Sequence, residues 1–150
     1  ESLEFEGLND LGDSLITKYT YTVKNEVVEA GSMRMLKVPY IDLVATLENF
    51  TADERKFPIE YWKYENVDEY ETVITIQLPT GQKFIEIPQN VNLSFKGITY
   101  SLKFTKEGEK LKIHRKAKMQ RDNIQPSDYA AFKKFFNDIV EAETKYVVFK

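Results

Sequence analysis

From Tyr70 to Met119 apolar and polar residues alternate with a period of two, and proline or glycine interrupts each reset of phase. A strand sends successive side chains to opposite faces, so this pattern describes half-buried β-sheet and excludes an amphipathic helix. Tyr70, Thr72, Ile74, Ile76 and Leu78 share one face, opposite Glu71, Val73, Thr75 and Gln77. Pro79-Thr80-Gly81-Gln82 then places proline and glycine for a type II-like bend. Phe84, Ile85 and Ile87 form the next strand, stopped by Pro88. Val91, Leu93 and Phe95 alternate up to Lys96-Gly97, and Ile98, Tyr100, Leu102 and Phe104 alternate after it. Lys106-Glu107-Gly108-Glu109 joins that strand to Leu111, Ile113, Arg115, Ala117 and Met119, the clearest hairpin signal in the chain.

Earlier in the chain, Leu15, Thr17, Tyr19, Tyr21 and Val23 share the face of a further strand, with Lys18, Thr20 and Thr22 opposite. Asn25-Glu26 and Ala30-Gly31 punctuate the loop that follows, and Met33 to Val38 is a strand ended by Pro39. Leu43-Val44-Ala45-Thr46-Leu47 fits a short strand or a helical turn. One stretch breaks the period of two. After Pro126, placed for the first helical position, Tyr129, Phe132, Phe136 and Ile139/Val140 follow the three/four spacing of a helix face. Tyr146-Val147-Val148-Phe149 after it reads as a strand. About eight short strands separated by turn chemistry predict a mainly β fold, an antiparallel β-sandwich with a jelly-roll-like arrangement among those open to it. One α-helix near the C-terminus would cover an end or edge, followed by a final strand. With no repeat, low-complexity tract or linker, residues 1–150 form a single domain.

Composition narrows the chemistry. There is no cysteine, which removes thiol nucleophiles, disulfides and zinc–thiolate sites, and His114 is the only histidine. Imidazole metal sites and Ser-His-Asp triads therefore lack raw material, so neither a catalytic residue, a metal site nor a cofactor is expected. A net charge of −3 argues against nucleic acid as a partner. No apolar run approaches the roughly 18 residues of a membrane span. The start at Glu1-Ser2-Leu3, with neither Met nor a signal-peptide pattern, reads as a processed or excised fragment.

Four groups are candidates for more than packing. Tyr61, Trp62 and Tyr64, with Glu65, Asp68 and also Glu60, combine aromatic platforms with carboxylates. A glycan-binding surface uses that combination, and so does an aromatic plug at a sandwich end. Lys103, Lys106, Lys110, Lys112, His114, Arg115, Lys116, Lys118 and Arg121 form a basic run, but its alternate residues suit the solvated face of a half-buried strand, where lysine also blunts edge pairing. His114 among those cations should resist protonation. Asn9, Asp10 and Asp13 form an acidic turn without EF-hand spacing, and a plain turn is the expectation. The stripe Tyr129/Phe132/Phe136 reads as core rather than a cofactor box.

The order of punctuation from Arg55 onward carries a family signal. Arg55-Lys56-Phe57-Pro58-Ile59 is followed by Leu78-Pro79-Thr80-Gly81, Ile87-Pro88 and Leu111-Lys112-Ile113-His114-Arg115. Ile124-Gln125-Pro126-Ser127-Asp128-Tyr129, Phe132-Lys133-Lys134-Phe135 and Tyr146-Val147-Val148-Phe149-Lys150 complete the series. Over Thr51–Lys150 this resembles the C-terminal domain of unknown function in large exported transglutaminase-like proteins of Gram-negative gut bacteria. The first fifty residues match mainly through Met33-Arg34-Met35-Leu36-Lys37-Val38-Pro39. The resemblance implies a β-sandwich in the periplasm or at the cell surface, an accessory domain that braces or docks a papain-like catalytic core. Its partners would be neighbouring domains of the parent protein, or a glycan or protein. The catalytic Cys-His-Asp of such proteins belongs to that core, and no residue of it maps here. Asp13-Ser14-Leu15 resembles the O-glycosylation acceptor of such bacteria, although a cap is the commoner role for Asp-Ser.

Overall fold

The computed structural model describes residues 2–9, 12, 16–20, 22, 24, 26–48, 50–61, 69–120 and 122–150. These residues form a mainly β domain of two four-stranded antiparallel sheets and two short ribbons, with a single C-terminal α-helix followed by a final strand. The first sheet contains β6 (Glu69–Gln77), β8 (Val91–Phe95), β9 (Ile98–Glu107) and β10 (Lys110–Lys118) in the order β6-β10-β9-β8. Its alternation is the one legible in the sequence: Leu111, Ile113, Arg115 and Ala117 are buried, while Lys110, Lys112, Lys116 and Lys118 are exposed. The β8–β9 connection has only Lys96 and Gly97 between the paired Phe95 and Ile98, with φ of 42° and 85°. Both residues at positive φ is the two-residue hairpin geometry that matches strand twist. A Cβ on Gly97 would also come 3.3 Å from Gln120 Cγ.

The second sheet has the order β3-β4-β12-β7, from Val27–Ala30, Met33–Lys37, Tyr146–Phe149 and Phe84–Glu86. Here β12, the last strand, lies between β4 and β7, and Lys83 and Lys150 exchange backbone hydrogen bonds beside it. Both sheets feed one core, with Leu102, Leu111 and Ile113 from the first and Phe84, Val147 and Phe149 from the second. This is a sandwich-like layout, in which β8, β9 and β10 run as a meander within one sheet. The ribbons are β1 (Ser2–Glu6) with β2 (Ile16–Thr20), and β5 (Ile59–Glu60) with β11 (Asn123–Ile124).

The helical period begins as a 3-10 turn at Pro126–Asp128 and becomes α1, Tyr129–Glu143. Tyr129, Phe132, Phe135, Phe136 and Ile139 are buried against β8, the edge of the first sheet, so the stripe is core as expected. Phe132 meets Phe50 edge-on at 4.7 Å between ring centroids and Tyr61 at 5.3 Å. Thr144 closes the helix through its Oγ1, 2.9 Å from the Val140 carbonyl.

Several expectations change. The described residues hold twelve strands, because short edge pieces such as β1, β3, β5 and β11 carry too few residues to show a period. Residues 43–47 form neither strand nor helical turn; they belong to an irregular strap whose Val44 and Ala45 are buried. The predicted strand around Leu15–Val23 is β2, of which Leu15, Tyr21 and Val23 lie outside the described residues. The lysine-bearing β10 is an interior strand between β6 and β9, so its lysines are a solvated sheet face and block no edge. His114, with Lys103 opposite it on β9, also meets a carboxylate, its Nε2 lying 2.7 Å from Glu71 Oε1.

Candidate functional site

Two charged residues occupy positions that the periodicities assign to the core. Arg115 falls between Ile113 and Ala117 on the buried face of β10, and Glu143 lies one helical turn beyond Ile139 on the buried face of α1. They are 1% and 4% exposed. Arg115 Nη1 donates to Glu143 Oε1 at 3.0 Å, and the Tyr100 hydroxyl donates to the same oxygen at 3.0 Å. Arg115 Nη2 donates to Thr72 Oγ1 at 2.9 Å, tying β6 into the network. The guanidinium lies over the Tyr40 ring, 4.8 Å from its centroid, a cation–π contact.

The network is incompletely paired. Glu143 Oε2, Arg115 Nε and the Tyr40 hydroxyl are buried without a hydrogen-bond partner among the described residues. Burial raises the pKa of Glu143 above its ordinary 4.5, against the opposing pull of Arg115 and Tyr100. Burial and then the Glu143 charge likewise push the Tyr40 and Tyr100 phenols up, so both stay protonated donors. A cleft of about 510 Å³ lies against this network. It runs between the irregular strap, represented by Val38, Tyr40, Leu43 and Leu47, and the C-terminal end of α1 at Val140 and Glu143. The cluster offers one unpaired carboxylate acceptor and one phenolic hydroxyl on residues that line an apolar cleft.

Sequence reasoning placed Arg115 in both the apolar series and the basic run and did not decide between them. The missed signal was a pair of opposite charges, each in the buried phase of its own element. Of the residues marked for ligand binding, Tyr61 is 5% exposed and packs its ring among Phe132 and Phe136, with its hydroxyl 3.5 Å from Met119 Sδ. That ring is part of the core rather than an exposed platform. Trp62, Tyr64, Glu65 and Asp68 lie outside the described residues, as do Asp10, Asp13 and Ser14. Among the described residues, no three His, Cys, Asp or Glu side chains gather as metal ligands do, and no helix is long and apolar enough to cross a membrane.

The domain family of unknown function DUF3858 matches residues 33–149. The match starts well before Thr51 and takes in β4, the strap and the Arg115–Glu143 network. No curated protein matches the chain. Among solved structures, a protein from Parabacteroides distasonis described as a "putative protease" has a similar fold, with a TM-score of 0.59 at 13% identity. The similarity covers 78% of this chain but 23% of that one, so the fold accounts for about a quarter of a much longer protein.

Proposed function

The chain belongs to the DUF3858 family, and from that premise we propose that it is a non-catalytic accessory domain of an exported protein with a transglutaminase- or protease-like catalytic part, which it braces or docks. The observation that carries this reading is the lopsided coverage: most of this fold corresponds to under a quarter of a longer chain described as a protease candidate. The N-terminal ribbon supports it physically. Leu3, Phe5, Leu8 and Ile16 of the β1–β2 ribbon and its turn are 46–65% exposed, and this ribbon lies outside the family match. A two-stranded ribbon is marginal alone in water, and exposed apolar side chains on it, Leu3 and Phe5 on one face, suit contact with a neighbouring domain. The buried Arg115–Glu143 pair ties β10 to α1 and serves rigidity in this reading.

The test uses the longer protein that carries this domain, with and without it, alongside the isolated domain. Removing the domain should lower the melting temperature of the catalytic part while leaving its bond chemistry intact. The isolated domain should neither hydrolyse peptides nor cross-link glutamine to lysine. Turnover by the isolated domain, or a catalytic part unchanged in both stability and activity, would refute the proposal. Export is checked by cell fractionation, with the protein expected in the periplasm or at the cell surface.

A further inference from the structure

We propose that the cleft between the 38–48 strap and the end of α1 binds an extended peptide segment, taking an aliphatic side chain and pairing a backbone amide with Glu143 and Tyr40. Val38, Leu43, Leu47 and Val140 give the cleft apolar walls, and Leu43 and Leu47 remain more than half exposed. An aliphatic side chain is the natural occupant of that part. Two of its lining residues carry unpartnered buried atoms of complementary capacity, the Glu143 Oε2 acceptor and the Tyr40 hydroxyl. An amide matches both: its N–H donates to the carboxylate, and its carbonyl accepts from the phenol.

The opposing charges of Arg115 and Glu143 cancel within the network, and Lys37 offsets one of Glu26 and Glu48 at the walls. One negative charge remains, which disfavours an anionic ligand. Tyr40 and Glu143, which carry the two unpartnered atoms, both line the cleft. The strap wall of the cleft, residues 39–48 with Tyr40 among them, belongs to no helix or sheet, so a small shift of it opens the cleft without breaking a hydrogen-bond ladder. Leaving buried polar atoms unpaired costs stability, and a ligand that pairs them recovers that cost on binding. The peptide's source, a neighbouring part of the same longer protein, rests on the accessory reading; the site itself does not.

The experiment is an NMR titration of the intact 150-residue chain with three small probes of equal apolar body: isocaproamide, methyl isocaproate and isoamylamine. The amide should bind in the millimolar range, shift resonances of residues 38–48 and 139–144, and bind at least tenfold more tightly than the ester. Tyr40→Phe, which keeps the ring under Arg115 but removes the hydroxyl that donates to a ligand carbonyl, should weaken the amide and the ester alike several-fold. Leu47→Asp, at an exposed wall position, should weaken both. Equal binding of amide and ester means that water satisfies the two atoms, and tighter binding of the amine means a cation site; either result overturns the proposal, as does binding elsewhere. Because these probes report on the isolated domain, their failure is separate from failure of the domain-removal test.

Discussion

Replacing Arg115 with methionine removes a buried cation while keeping a long, straight side chain in its place. The substitution abolishes the 3.0 Å bond to Glu143, the 2.9 Å bond to Thr72 and the stacking on Tyr40. Above all, it leaves the Glu143 carboxylate buried with only Tyr100 donating to it. Breaking a buried pair from one side costs about 3–5 kcal/mol, a large share of the roughly 5–15 kcal/mol that holds a domain folded. The cost should depend on pH. Burial already raises the pKa of Glu143, and removing Arg115 takes away the strongest influence that lowers it. A carboxyl whose folded pKa is raised gives stability that is fully present below its unfolded value and is lost as pH rises through the folded value. Urea unfolding followed by circular dichroism should therefore show Arg115→Met regaining stability as pH falls from neutral toward the ordinary carboxylate range, by no more than about 1.4 kcal/mol per pH unit. The wild type should recover less, because Arg115 partly offsets the burial. Adding Glu143→Leu should restore most of the loss at neutral pH and remove the extra pH dependence, since an apolar pair can replace a buried ion pair without penalty. A loss under ~1 kcal/mol, or one that does not change with pH, would refute the view of Glu143 as a buried carboxylate held by Arg115.

Phe136→Ala should cost about 3–5 kcal/mol, because the ring is 3% exposed and touches Phe50, Tyr61, Phe132 and Phe135. A denaturant shift worth less than ~1 kcal/mol would place α1 at the periphery of the core. Glu71 on the exposed sheet face behaves oppositely to Glu143: the His114 hydrogen bond, then Lys116, holds its carboxyl below the ordinary 4.5. Its contribution is present above that value and lost as pH falls through the lowered folded value, so Glu71→Gln should flatten the acid side of the stability profile. Identical acid slopes for the variant and the wild type in urea midpoints would rule this out.

The first sheet was legible almost strand for strand because β6, β9 and β10 are long and have one wet face, the condition under which a period of two shows. The glycines and prolines at its turns agreed with that period, and the aromatic face of α1 was equally plain. The N-terminal half was harder. Met33–Lys37 was legible as a strand, but its partner across Gly31 at φ 64°, Val27–Ala30, is four exposed residues with no buried face to read. Tyr61 illustrates a different limit. An aromatic residue among carboxylates looks the same in sequence whether its ring faces a sugar or Phe132, and only packing decides. The Arg115–Glu143 pair was within reach of the sequence. Its two members lie in different elements, however, and no local pattern says that β10 and α1 bring those positions together.

The interior position of β12 has a consequence for the order in which the protein can be assembled. Tyr146–Phe149 joins Met33–Lys37 to Phe84–Glu86, partners that precede it by roughly 110 and 60 residues. Such pairings are slow to find because a large loop must close before any contact rewards it. During synthesis β4 and β7 emerge early, each with an unsatisfied side where β12 belongs, and remain open edges until the final strand arrives. The second sheet is thus sealed from its middle outward and late, whereas the β8–β9–β10 meander can form as soon as it is made.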